Sequence, residues 1–84
     1  MLRPTAKKVY PKDDYFLEVE FTDGEIGYFD VKPYIKGNWF GMLRNKSYFE
    51  RVIINGITVE WPDGQDICPD DLYYLSKKDG VLAM

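Results

Sequence analysis

Histidine is absent from the 84 residues, and cysteine occurs once, at Cys68. The first absence removes the commonest proton-transfer side chain and with it every Ser-His-Asp or Cys-His arrangement. Together the two exclude an intramolecular disulfide and any metal framework built from thiols and imidazoles. No apolar run approaches the roughly 18 residues that a membrane helix needs, and residues 1–8 lack the apolar core of a signal peptide. The expectation is a cytoplasmic protein that does not span a membrane. The seven glycines stand singly, so no glycine-rich loop is available to cradle a phosphate.

What is present is aromatic. Rings make up 17% of the chain and apolar residues 45%, and each buried ring removes roughly 150–250 Å² from water. Residues 1–84 therefore read as one folded domain, of a size at which a single core supplies little net stability and a second copy adds to it. A homodimer is the simplest such partner. The net charge of −3 conceals an asymmetry. Residues 1–12 carry four basic side chains and no acid, and residues 57–74 carry five acids and no base. Such a dipole steers association, but an acidic chain lacks the broad basic face that nucleic-acid binding requires.

Along the chain, Val9-Tyr10 reads as a short edge strand that ends in the turn Pro11-Lys12-Asp13-Asp14. Tyr15–Phe21 alternates with period two, apolar at odd positions and with Glu18 and Glu20 between them, the pattern of a half-buried strand. Asp23-Gly24 is expected to be a two-residue hairpin turn. That register sets Phe21 opposite Ile26, Val19 opposite Tyr28 and Leu17 opposite Asp30, with Phe16, Phe29 and Val31 on the reverse face. Asp30 is then the exception on the apolar face. Lys32-Pro33-Tyr34 interrupts the second strand.

Trp39–Arg44 suits a short helix capped by Asn38, with Trp39, Phe40, Met42 and Leu43 packed on the sheet. Asn45–Glu50 adds a helical turn anchored by Phe49. Arg51–Trp61 reads as a second hairpin turning at Asn55-Gly56, with Ile54 opposite Ile57, Val52 opposite Val59, Ile53 opposite Thr58 and Arg51 opposite Glu60. Pro62-Asp63-Gly64 makes a sharp turn, Gln65–Ile67 returns as a short strand, and Cys68-Pro69-Asp70-Asp71 opens a helix with proline at its first position and acids at its positive end. Leu72 and Leu75 are expected to face inward. Ser76–Gly80 ends the helix, and Val81–Met84 is an apolar tail. The fold class is α+β: a small antiparallel sheet built from two β-hairpins, with short helices packed on one face.

The acids of the stretch from Glu60 to Leu75 raise the question of a site. Their spacing is not that of a calcium loop, and turn chemistry and the helix dipole account for them. A lone Cys68 with no base behaves as a small buried hydrophobe. No catalytic, metal or cofactor residue is assigned, and the chain is read as not an enzyme. Asp66 is kept open, either as a cap for the following helix or as a partner for a turn amide. Aromatic side chains are plentiful, but Glu18, Glu20 and Glu25 on the strands argue against a stacking surface for single strands, and no helix-turn-helix pattern with a basic recognition helix is present.

The run Asp23-Gly24-Glu25, Phe29-Asp30-Val31-Lys32-Pro33-Tyr34, Phe40 and Leu43, Phe49-Glu50-Arg51-Val52, and Val59-Glu60-Trp61-Pro62-Asp63-Gly64-Gln65-Asp66-Ile67, followed by Pro69-Asp70 and Leu72-Tyr73, resembles the bacterial domain-of-unknown-function family numbered two-four-four-two. The resemblance runs from about Val9 to Tyr74, and the ending E-W-x-x-G-x-D-[IL]-x-P-[DE]-x-L-Y is its most specific part. It implies a small α+β domain with an antiparallel sheet. Such domains sometimes precede a helix-turn-helix domain and are often encoded beside a second small protein in pairs suggestive of toxin and antitoxin.

The functional expectation is a non-enzymatic protein–protein interaction module, antitoxin-like or regulatory. Its partner would be a small protein encoded nearby, a second copy, or both. The alternative is a ligand-sensing or regulatory domain of DNA-binding systems that does not itself touch DNA. Candidate partner contacts are Glu60, Trp61, Asp63, Asp66 and Asp70. For Trp61 two readings stand: a ring packed beneath the second hairpin, or, if exposed, a contact residue.

Overall fold

The structure, a computed structural model, describes residues 4–78. Its strands are β1 (Ala6–Lys12), β2 (Phe16–Phe21), β3 (Ile26–Asp30), β4 (Ile53–Asn55), β5 (Thr58–Glu60) and β6 (Lys77–Lys78), and its α-helices are α1 (Lys46–Phe49) and α2 (Pro69–Tyr74). Short 3₁₀ turns occupy Asp13–Tyr15, Lys32–Tyr34 and Phe40–Arg44. The α+β class holds. The two hairpins lie in separate antiparallel sheets, one of four strands in the order β1-β2-β3-β6 and one formed by β4 and β5.

The alternation in β2 acts as expected: Leu17, Val19 and Phe21 are buried and Phe16, Glu18 and Glu20 half-buried. Strand β1 is longer than Val9-Tyr10. It runs the full edge of the sheet to Lys12, with Pro11 opposite Leu17, at an edge where a missing N–H breaks no central ladder.

The first hairpin corrects the expected register by one residue. Glu20 faces Ile26, Val19 faces Gly27, Leu17 faces Phe29 and Phe16 faces Asp30. The connection is a three-residue loop, Thr22-Asp23-Gly24, closed by Gly24 N–H to Phe21 O and Phe21 N–H to Glu25 O, both 2.9 Å. Gly24 takes φ +89° and Asp23 no positive φ, whereas a two-residue type I′ turn needs positive φ at both central residues. The Asp23 carboxylate instead accepts from the Glu25 N–H at 3.0 Å. Because the side-chain period is two, this slip exchanges the faces of β3. Phe29 and Val31 join the core, and Asp30 lies opposite Phe16 on the outer face. The apparent exception at Asp30 disappears.

The second hairpin is displaced by two residues. Its loop is Gly56-Ile57, so Ile54 faces Val59, Ile53 faces Glu60 and Asn55 faces Thr58. Placing glycine first, at φ +65°, is the type II′ arrangement. It leaves the Asn55 side chain free to donate to the Glu60 carboxylate on the same face. A two-residue shift leaves every face unchanged, and Val59 and Trp61 are buried as expected. Gln65–Ile67 returns only as one bridge, Asp66 to Glu60.

The helical expectations hold in part. Asn45 caps α1 by accepting from the Tyr48 N–H, and Phe49 is buried. In place of a helix over Trp39–Arg44 there is the 3₁₀ turn Phe40–Arg44, with Trp39 at its N-cap and no side-chain cap, so Asn38 does not cap it. Three residues per turn bring only Leu43 fully inside. Pro69 opens α2 with Asp70 and Asp71 in its first turn, but the helix stops at Tyr74. Leu75, at its C-cap, is exposed rather than inward, and Lys77–Lys78 pair with β3 instead of prolonging the helix end. Asp79–Met84, including the apolar tail, lie outside the described residues. No helix among the described residues is long and apolar enough to cross a membrane.

The core joins both sheets and the helices: Leu17, Val19, Phe21 and Phe29 from the large sheet, with Val31 just beyond it, meet Leu43, Phe49, Val59, Trp61, Ile67 and Leu72. Trp61 is 1% exposed, its indole N–H donates to the Phe49 carbonyl at 2.8 Å, and its ring lies 5.8 Å from that of Phe49. Replacing Trp61 by Phe preserves a ring but removes the stronger of the two bonds to the Phe49 carbonyl, which keeps only the Val52 N–H at 3.4 Å, and the loss of that bond costs about 0.5–1.5 kcal/mol. Urea unfolding followed by circular dichroism is expected to show the midpoint of Trp61→Phe falling accordingly, with m unchanged.

Candidate functional site

The loop after β5 has the same construction as the loop after β2. In Trp61-Pro62-Asp63-Gly64-Gln65, the Gly64 N–H donates to Trp61 O at 2.9 Å and the Trp61 N–H to Gln65 O at 2.8 Å, with Gly64 at φ +104°. An aromatic residue, one spacer, Asp-Gly and a polar residue thus form two equivalent frames, Phe21–Glu25 and Trp61–Gln65. They differ at the closing residue: Glu25 is exposed, whereas Gln65 is 0% exposed.

A buried carboxamide must find partners, and Gln65 finds them in two elements. Its Oε1 accepts from the Tyr48 hydroxyl at 2.7 Å, and that hydroxyl oxygen accepts from the Asp63 N–H at 2.9 Å. Its Nε2 donates to the Trp39 carbonyl at 2.9 Å and approaches Met42 Sδ at 3.4 Å. The two residues held in this way are both exposed, Trp39 at 52% and Met42 at 38%. Trp39 also lies over Gly64, where an added Cβ would meet Cζ2 at 3.7 Å. The result is an exposed tryptophan whose backbone is fixed from below by a fully buried side chain.

The candidate contact residues separate when placed on this frame. Trp61 is core and presents no surface, which settles its two readings in favour of packing. Glu60 is half-buried and bonded by Asn55. Asp63, Asp66 and Asp70 lie at the surface: all three are exposed, with Asp63 on the same turn as the glycine beneath Trp39. Asp66 does not cap α2, whose N-cap is Cys68 without a side-chain bond. Cys68 itself is exposed rather than buried. Among the described residues, no three acids or cysteines gather closely enough to hold a metal ion. Trp39 and Gln65 were not singled out by the sequence patterns, although four apolar residues within Trp39–Leu43 are more than one side of a short helix can cover.

Two tyrosines bind α2 to the rest of the fold. The Tyr34 hydroxyl donates to Asp71 Oδ2 at 3.2 Å and the Tyr73 hydroxyl to Asp23 Oδ2 at 3.1 Å. Burial, followed by the neighbouring Asp71 carboxylate, raises the Tyr34 pKa above the ordinary tyrosine value. For Tyr73, burial and then the bond to Asp23 act in the same direction.

A second surface feature is a cleft of about 300 Å³ lined by Tyr15, Lys32, Ile35 and Arg44. Its wall is strained. Asp14 and Tyr15 are consecutive non-glycine residues at φ 60° and 62°, a region in which each such residue costs roughly 1–3 kcal/mol. Around them, Lys32 Nζ donates to the Asp14 carbonyl at 2.8 Å and to Asp14 Oδ2 at 3.1 Å, and also meets Asp30 Oδ1 at 3.0 Å. Burial works against the Lys32 charge, but the bonds to Asp30 and Asp14 outweigh it and raise its pKa. The Tyr15 hydroxyl donates to the Arg44 carbonyl, and Arg44 Nη2 to the Ile35 carbonyl at 3.3 Å.

A family model described as "Protein of unknown function (DUF2442)" matches residues 6–78. No curated protein and no solved structure matches the chain.

Two measurements probe this geometry. Gln65→Leu removes the acceptor of the Tyr48 hydroxyl and the side-chain donor to the Trp39 carbonyl, and is expected to cost about 1–3 kcal/mol while lowering the fluorescence anisotropy of Trp39 in a Trp61→Phe background. In an ultraviolet titration, Tyr34 should ionise above the ordinary tyrosine range and return toward it in Asp71→Asn. Because the folded-state value is raised, the stability it contributes is complete below the unfolded tyrosine pKa and is lost as pH climbs through that of Tyr34.

Proposed function

The chain belongs to that family, and we propose that it is a non-enzymatic, cytoplasmic interaction module that binds a small protein partner through Trp39 and Met42, with Asp63 and Asp66 at the rim. The observation that carries this reading is the exposed Trp39 held by the buried Gln65. Interface energy concentrates in a few aromatic anchors, and an anchor already ordered in the free protein loses less entropy on binding. Neither Asp63 nor Asp66 forms an ion pair among the described residues, and no basic residue lies between positions 57 and 74. That asymmetry favours a partner with a basic surface, which charge would steer toward this face. An antitoxin-like or regulatory role, with the product of an adjacent reading frame as the partner, fits these properties.

Co-expression with the product of the adjacent reading frame, followed by size exclusion and light scattering, tests the reading. A stable complex is expected, lost in Trp39→Ala although that variant melts within about 1 kcal/mol of the parent, since its ring is at the surface. Asp63→Asn with Asp66→Asn should slow association and flatten its salt dependence. A monomer without a partner, or a complex indifferent to Trp39→Ala, would refute the proposal. A concentration-dependent dimer of the chain alone, broken by the same substitution, would make the second copy the partner.

A further inference from the structure

The cleft between the strained Asp14-Tyr15 turn and the Phe40–Arg44 turn has features that protein binding at Trp39 does not use. Its volume, about 300 Å³, is at the small end of ligand pockets. Its lining residues are tied to one another. Tyr15 bonds the backbone of Arg44, Arg44 bonds the backbone of Ile35, and the Ile35 N–H donates to Lys32 O at 3.1 Å. This chain of bonds fixes the wall of the cleft.

The two cations of the cleft differ in how they are satisfied. Lys32 meets the carboxylates of Asp14 and Asp30 and the carbonyl of Asp14, which accounts for all three of its N–H donors. Arg44 has no carboxylate partner among the described residues and donates only to the Ile35 carbonyl. A guanidinium offers five donors in a planar fork matched to a carboxylate. Beside it stand the Ile35 side chain and the Tyr15 ring, which is held edge-on to Phe49 at 5.3 Å. The geometry points to a binding site for a small organic carboxylate with a flat apolar body, its carboxylate on the Arg44 guanidinium and its body against Ile35 and Tyr15. Inorganic anions fit less well, since they would leave the apolar wall of Ile35 and Tyr15 uncovered.

Nuclear magnetic resonance on the full 84-residue chain tests the site, with 2-naphthoate as probe, its neutral analogue 2-naphthamide, and inorganic phosphate. Saturable shifts are expected at the Arg44 side-chain N–H and the Ile35 amide with naphthoate. Naphthamide should bind at least about tenfold more weakly, as should naphthoate to Arg44→Gln, in line with the loss of a charge-assisted hydrogen bond. If Arg44→Gln does not fold, the ratio of naphthoate to naphthamide on the unsubstituted chain decides alone. Equal affinity for the two probes, stronger binding of phosphate, or shifts that do not localise to residues 15, 32, 35 and 44 would overturn the assignment. Trp39→Ala, which removes the proposed protein contact, should leave naphthoate affinity unchanged; loss of both together would also count against a separate site.

Discussion

The hydrogen bond from the Trp61 indole to the Phe49 carbonyl is the constraint on which the other parts depend. It joins the end of the second hairpin to α1, two elements too short to persist alone. From Phe49 a line of contacts runs to the Tyr15 ring and so to the cleft. From Trp61 it runs through the Asp63-Gly64 loop to Gln65 and so to Trp39. The two surface features therefore hang from one buried axis of rings. An apolar residue in place of Trp61 would fill some of the volume, but it would not fix the orientation of that axis.

The sequence was most readable where side-chain periodicity met a strong turn signal, and its errors follow the parity of the register. Trp61, Val59 and Ile54 were assigned to the right face although the second hairpin slips by two residues, because an even slip preserves faces. Phe29 and Val31 were placed on the wrong face because the first hairpin slips by one. The cause lies in Asp23. Its carboxylate caps the Glu25 N–H, which favours a three-residue loop over a two-residue one. Pro62-Asp63-Gly64 has the same loop, and there the proline at its first position made the turn recognisable.

The candidate site was only half visible. Its acids stand out in the chain, and Asp63 and Asp66 are at the surface as acids usually are. Its aromatic member does not stand out, because helical periodicity assigned Trp39 to the core. A 3₁₀ turn instead turns Leu43 inward and leaves Trp39 outside. Gln65 carries no sequence signal at all, since its burial depends on Tyr48, Trp39 and Met42 meeting from two other elements. The strain at Asp14 and Tyr15 is equally silent: aspartate tolerates that conformation, but nothing in the sequence announces that a tyrosine adopts it.

The attachment of α2 bears on how the chain folds as it is synthesised. Leu72 completes the core, and the helix that carries it has six residues, too few to form in isolation. Its fastenings reach back to Tyr34 and Asp23, the latter fifty positions earlier in the chain. The two hairpins can pair locally while translation is under way, but the part of the core that Leu72 closes stays uncovered until that segment has been made. Closure of the domain is therefore a late, long-range event, and until it happens part of the apolar surface remains in water.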